Sequence, residues 1–168
     1  MHTPLLHIYN PETEYALASG SPYYTLPESV RKLRISKARL PEMYANPGDA
    51  ILLMDGVDPQ PDRSPAFPLL TPDMAVDWSQ FTASPWGWNA QIACFLNANC
   101  PGLQGIPSGE RINGLRNLAH RRTTIGFLKA YGSHGVTLPL ELSDYDNAAA
   151  YYHEHPDIFL KAPWRSSG

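Results

Sequence analysis

Basic side chains at two places in the last third of the sequence could bind phosphate. Lys161 ends an apolar segment, Ile158-Phe159-Leu160-Lys161, which leads into the small residues Ser166-Ser167-Gly168. Amides and hydroxyls of such a turn can surround phosphate oxygens. Arg121 and Arg122 stand earlier, at the start of a predicted helix whose dipole adds positive charge. Together these groups suit a polyphosphate, provided that the fold brings them to one place.

Lys161 also has a purely structural interpretation. An ammonium group on the face of a half-buried strand is costly unless water or a counter-charge meets it. Such a lysine either extends to the wet edge of the sheet or receives an anion, and the sequence leaves both options open.

Three further residues are candidates for contacts with a substrate. Glu12 and Glu14 follow the first predicted strand, and open α/β sheets bind ligands beyond the carboxyl ends of their strands. Either carboxylate could contact a substrate amine or lie in a solvated loop. Trp86, close to a predicted helix start, could line a pocket or pack in the core.

Composition limits the class of protein. The chain has 168 residues, 43% of them hydrophobic, and a formal net charge of −3, which indicates a globular domain. Nucleic acids and anionic membranes require clustered cations, so neither is a predicted partner. The two cysteines are predicted to be free thiols, and no zinc-type spacing predicts a metal site. We expect a cytoplasmic protein, and the sequence leaves a homodimer open.

The first part of the chain predicts an α/β fold of parallel strands. Apolar runs at 5–9 and 50–55 are predicted strands, and a helix beginning at a Thr25–Glu28 capping box connects them. Val30, Leu33 and Leu40 are predicted to face inward. The side chains predicted to face water are all basic: Arg31, Lys32, Arg34, Lys37 and Arg39.

Prolines and helix signals organise the rest. The proline-rich residues 55–72 predict an irregular connection, a weak strand follows at 75–78, and Ser84-Pro85 predicts the start of a helix. Beyond residue 107 the pattern predicts two short helices, a strand at 136–140, a helix opened by Ser143-Asp144 and a strand at 158–160. We therefore predict a domain at 1–106 and a smaller α+β unit at 107–168.

The segment from Leu118 to Gly168 resembles the beginning of an ATP-grasp domain. The similarity lies in the basic start of a helix, the following Gly and strand, the capped helix, and Phe159-Leu160-Lys161-Ala162-Pro163 before the small-residue loop. The upstream part resembles the Rossmann-like domain that usually precedes an ATP-grasp domain. The resemblance thus predicts a Rossmann-like sheet domain followed by the first ATP-grasp subdomain.

The resemblance also implies an activity. Lys161 and Arg121, with Arg122 as the neighbouring candidate, would hold the nucleotide phosphates, and Ser166, Ser167 and Gly168 would close over them. ATP and Mg²⁺ would be the cofactors of an ATP-dependent ligase that activates a small carboxylate as an acyl phosphate, which an amine or thiol then captures. The first domain would contribute to the acceptor site.

The resemblance places the metal ligands and the adenine-binding hinge after the small-residue loop. We therefore expect this polypeptide to be the first piece of a longer enzyme and to be inactive alone. The alternative is a non-catalytic α/β binding or scaffold module, in which Lys161 is an ordinary surface lysine.

Overall fold

A computed structural model describes residues 3–59, 67–132 and 137–164. These residues form an α/β fold with a four-stranded parallel sheet in the order β3-β2-β1-β4. The strands are β1 Leu5–Ile8, β2 Ala50–Leu52, β3 Leu69–Leu70 and β4 Thr82–Pro85. The α-helices are α1 Thr13–Ser19, α2 Glu28–Ser36, α3 Ala90–Asn99, α4 Gly109–Ala119, α5 Arg121–Tyr131 and α6 Tyr145–Glu154. Short 3-10 helices lie at Leu40–Met43 and Trp78–Gln80.

The strand order changes direction at β1. The chain passes from β1 to β2 and β3 on one side and then crosses to β4 on the other side. Leu6 pairs with Ala50 of β2 and with Ala83 of β4, so β1 lies in the middle of the sheet. In open parallel sheets such a reversal leaves a crevice at the carboxyl ends of the two strands.

The two faces of the sheet bury different sets of side chains, as the period-two alternation of strands requires. Leu6, Ile8 and Leu52 pack with Ile92 and Leu96 of α3 on one face. The smaller cluster on the other face consists of Ala38, Ile51, Leu53 and Leu69.

A buried acidic residue joins the starts of β1 and β2. The carboxylate of Asp49 accepts hydrogen bonds from the backbone N–H groups of Leu5 and Asn46, both at 2.9 Å. A ring nitrogen of His7 lies 3.0 Å from the same carboxylate. These partners outweigh the effect of burial and lower the pKa of Asp49 below its ordinary 3.8.

The structure corrects the predicted orientation of α2. The capping box is absent: Pro27 precedes the helix, and the Glu28 carboxylate accepts hydrogen bonds from Arg31 instead. Leu33, predicted to face inward, is exposed, whereas Arg34, predicted to face water, is buried. The cause is the acidic environment of Arg34, formed by the carboxylates of Glu12 and Asp55, which hydrophobic periodicity does not register.

Strand β4 replaces the predicted helix start at Ser84-Pro85, and residues 75–78 are not a strand. The backbone N–H groups of Thr82 and Trp86 donate to the carbonyl oxygens of Pro4, just before β1, and of Ile8, whereas Ala83 donates outward to Gln104. Pro85 therefore lies where its missing N–H would face the outer edge, which is where a sheet tolerates proline. The true cap of α3 is Asn89, whose side chain accepts from the N–H of Ile92. The proline-rich connection contains the short strand β3.

Beyond Ile112 no residue of the described chain is buried. The two short helices α4 and α5 and the Asp144-capped α6 are confirmed. Strands are absent at 137–140 and 158–160, because no neighbouring strand among the described residues pairs with either segment. The side chain of Phe159 is 92% exposed.

Two other features concern the described chain as a whole. Cys94 and Cys100 are free thiols, as predicted. Among the helices of the described segments, none combines the length and apolar character needed to cross a membrane. The division of the chain into a domain at 1–106 and a smaller unit at 107–168 stays a prediction.

Candidate functional site

A cavity of about 1260 Å³ lies between the start of α5 and two non-helical segments. Its walls are formed by His120, Arg121 and Arg122, by residues 139–144 and by residues 159–164. Both predicted arginines and Lys161 line this one cavity. Ser166, Ser167 and Gly168 lie outside the described residues.

Backbone contacts hold the Lys161 segment against α5. The N–H of Arg121 donates to the carbonyl oxygen of Pro163, and its guanidinium Nε donates to that of Ala162, both at 2.9 Å. Arg121 thus fixes the chain immediately after Lys161, which explains why residues forty positions apart share one wall.

Trp164 anchors the same segment to α4. Its indole N–H donates to the carbonyl oxygen of Arg116 at 3.1 Å, and the Arg116 guanidinium lies 4.5 Å from the ring centroid. Arg116 in turn donates to the carbonyl oxygens of Leu17 and Ala18 at the end of α1. These contacts connect the cavity wall to the sheet region, and the cationic guanidinium compensates the partial negative charge of a helix end.

Arg122 faces a carboxylate across the cavity. Its Nε donates to Oε1 of Glu141 at 2.7 Å, and its Nη2 donates to the same oxygen. Both side chains are largely exposed, at 70% for Arg122 and 46% for Glu141. The hydrogen bond from Arg122 lowers the pKa of the Glu141 carboxyl below its ordinary 4.5. Glu141 is therefore ionised near neutral pH.

Lys161 is exposed, and it makes no hydrogen bond or ion pair within residues 3–59, 67–132 and 137–164. Its ammonium group is therefore available to a ligand without first leaving an acidic partner among them. A compact point charge of this kind can follow a phosphate oxygen in several geometries.

The start of α5 does not offer free amides to an anion. The first three N–H groups of the helix already donate: Arg121 to Pro163, Arg122 to the His120 ring and Thr123 to the His120 carbonyl oxygen. A ligand in the cavity would therefore be held by side-chain cations and not by a helix N-terminus. The His120 side chain acts as the cap of the helix.

The predicted substrate residues lie elsewhere, near the carboxyl ends of β1 and β4. Glu12 is 1% exposed and accepts a hydrogen bond from Arg34 at 2.8 Å, so the alternative of a solvated loop is wrong. Glu14 is half-buried in α1. Trp86 is 57% exposed, with its ring centroid 5.8 Å from that of Tyr9. None of the three lines the cavity.

Sequence reasoning missed Arg34 and Asp55, which form a charge cluster with the buried Glu12. Arg34 donates two hydrogen bonds of 2.6 Å to Asp55, which lies three residues after the end of β2. Burial raises the pKa of Glu12 above its ordinary 4.5, against the opposing effect of Arg34. The available signal was that Glu12 and Asp55 end neighbouring strands, so that a cation on the intervening helix had to lie between them.

Comparisons with protein-family models, with curated proteins and with solved structures found no match to this chain. In the parts of the chain that the structure describes, no three His, Cys, Asp or Glu side chains are grouped so that they could hold a metal ion.

Proposed function

We propose that this chain provides the phosphate-binding part of an ATP-dependent ligase of the ATP-grasp type. ATP would be the nucleotide, and a small carboxylate would be the group that is activated. The observation that supports this proposal is that Arg121, Arg122 and Lys161, chosen from the sequence as phosphate ligands, line a single cavity.

The charges in the cavity favour a polyanion. Three side chains of the cavity wall, those of Arg121, Arg122 and Lys161, are cationic at neutral pH. The wall also contains two carboxylates, those of Glu141 and Asp144. A triphosphate carries three to four negative charges, which would interact favourably with this excess of positive charge. Charge-assisted hydrogen bonds to phosphate are also stronger than neutral ones. Apolar walls from Ile125 and Leu128 reduce the water that competes with these contacts.

The proposed reaction needs the cavity to stabilise negative charge on transferring phosphoryl oxygens. A substrate carboxylate oxygen would bond to the γ-phosphorus as its bond to the β,γ-bridging oxygen breaks, which gives an acyl phosphate and ADP. An amine or thiol would then attack the acyl carbon and release phosphate. Lys161 and the arginines would bind and orient the triphosphate. The described residues do not fit a Mg²⁺ site by themselves, so no step is derived through the metal.

The proposal is tested by titrating the purified chain with tripolyphosphate and with ATP, using calorimetry or phosphorus NMR line widths. We expect a dissociation constant on the order of 1 mM. Lys161→Gln should weaken binding about 5-fold, because one charged contact to phosphate contributes roughly 1 kcal/mol at an exposed site.

The matched control is Lys37→Gln, which removes the same charge from an exposed lysine at the end of α2, outside the cavity. It should bind as the wild type does. Equal weakening by both variants would indicate a non-specific charge effect. If no binding is detected at a ligand concentration about ten times the expected dissociation constant, the proposal is contradicted and a non-catalytic α/β binding module is favoured.

A further inference from the structure

We infer that Glu141 is a built-in competitor for the phosphate-binding guanidinium of Arg122, and that an anionic ligand must displace its carboxylate to bind. This inference rests on the proposed function, because it concerns the same cavity.

The geometry of the pair carries the inference. Nε and Nη2 of Arg122 form one edge of the guanidinium, and both donate to the same oxygen of Glu141. That edge is the one that presents two parallel donors to a carboxylate or a phosphate. Glu141 therefore occupies the position from which a phosphate oxygen would contact Arg122.

The pair is also weak enough to be displaced. Both side chains are exposed, at 70% and 46%, and exposed ion pairs contribute little because water and salt screen them. The ligand carries several charges where Glu141 carries one, and Lys161 is available to it at the same time. A polyphosphate can thus exchange for Glu141, whereas a monoanion gains little from the exchange.

The position of Glu141 in the chain agrees with this role. It lies in the non-helical residues 137–144, on the wall opposite α5, and the described part of this segment makes no strand pairing. The carboxylate can therefore move away without breaking a sheet ladder. Arg121 differs, because its Nε donates to a backbone carbonyl oxygen that helps to position the Lys161 segment.

The test compares tripolyphosphate binding by the wild type, Glu141→Gln and Glu110→Gln. Removing the competing charge should tighten binding by the Glu141 variant about 2- to 5-fold, the range expected for loss of an exposed ion pair. Glu110→Gln removes the same charge from the exposed first turn of α4, outside the cavity, and should leave affinity unchanged.

The same substitution made in an Arg122→Gln variant separates competition for Arg122 from a general charge effect. In Arg122→Gln, the further change Glu141→Gln should give no tightening, because the competition acts through Arg122. Thermal midpoints of all variants should agree with that of the wild type, since the pair is exposed.

The outcomes distinguish this inference from the proposed function. Wild-type binding with an unchanged or weakened Glu141→Gln variant would overturn the inference and leave the phosphate site in place. Equal tightening in the Arg122→Gln background would also overturn it. If neither the wild type nor Glu141→Gln binds tripolyphosphate, the proposed function fails and the inference fails with it.

Discussion

Arg34 and Arg122 make similar contacts in very different surroundings. Arg34 lies between Glu12 and Asp55 under the sheet edge, with 11% of its side chain exposed. Arg122 holds a single carboxylate oxygen with 70% of its side chain exposed. Burial makes Arg34 a structural element, and the exposure of Arg122 is what the proposed exchange of Glu141 for a ligand requires.

The regions that contain these arginines differ in the same way. The sheet region has buried clusters on both faces of its strands. Helices α5 and α6 contain no buried residue, and their side chains surround an open cavity. Charges in the first region hold elements together in the interior, whereas the Arg122–Glu141 pair of the second region is exposed to solvent.

The largest expected effect is the loss of Arg34. Arg34→Met keeps much of the aliphatic part of the side chain but leaves the buried Glu12 and the partly buried Asp55 without a cation, and we expect a loss of about 3–5 kcal/mol in the free energy of unfolding. Arg122→Met should leave the free energy of unfolding nearly unchanged, because the Arg122 side chain is exposed. Urea unfolding of both variants measures this difference, and comparable losses would remove the distinction between the two regions.

A smaller effect is expected at Asp49, and it should depend on pH. Asp49→Asn weakens the hydrogen bonds to Leu5, Asn46 and His7 and should cost about 1–3 kcal/mol at pH 7.

The sign follows from the lowered pKa of Asp49. The native state binds fewer protons than the unfolded state between the lowered value and 3.8, so the stabilisation is complete above pH 3.8 and is lost as the pH falls through the lowered pKa. Urea midpoints of the wild type and the variant should therefore converge below about pH 3.8. The control is Asp146→Asn, at an exposed position in α6. If the difference in urea midpoint between the wild type and Asp49→Asn stays constant with pH, Asp49 does not act through its charge.

Replacing a glycine by alanine should change stability in opposite directions in the two regions. A Cβ at Gly87 would lie 2.4 Å from Oγ1 of Thr13, so Gly87→Ala should destabilise the sheet region by roughly 1–3 kcal/mol. Gly126 in α5 has nothing within 4 Å of an added Cβ, and Gly126→Ala should stabilise that helix by about 0.5–1 kcal/mol. Hydrogen exchange of α3 and α5 amides reports both effects, and a destabilised α5 would mean that the second region is more tightly packed than described.

Local signals in the sequence predicted much of the fold. The apolar runs predicted β1 and β2, because burial in these strands follows the hydrophobic pattern. Strand β4 was missed because Ser84-Pro85 also fits a helix start, and only pairing with β1 decides between the two. The predicted strand at 158–160 is absent because a strand needs a hydrogen-bonded neighbour, which composition cannot supply.

The cationic residues of the candidate site could be predicted from the sequence, but its acidic residue Glu141 could not. Arg121, Arg122 and Lys161 were chosen because phosphate binding needs those residue types. Glu141 depends on a contact between segments that are distant in sequence, so no local pattern identifies it. Arg34 was missed because its charge was taken as a sign of exposure, although it stands four residues after Val30 on the same side of α2.

The most direct test follows the arginine side chains in one NMR spectrum while tripolyphosphate is added. The Nε–H signals of Arg121 and Arg122 should shift in a saturable way, and those of Arg34 and Arg116 should stay in place because neither of these two residues lines the cavity. Lys161→Gln should reduce the shifts at a given concentration. If all four signals move together, or if Arg121 and Arg122 do not respond, the cavity is not a phosphate site.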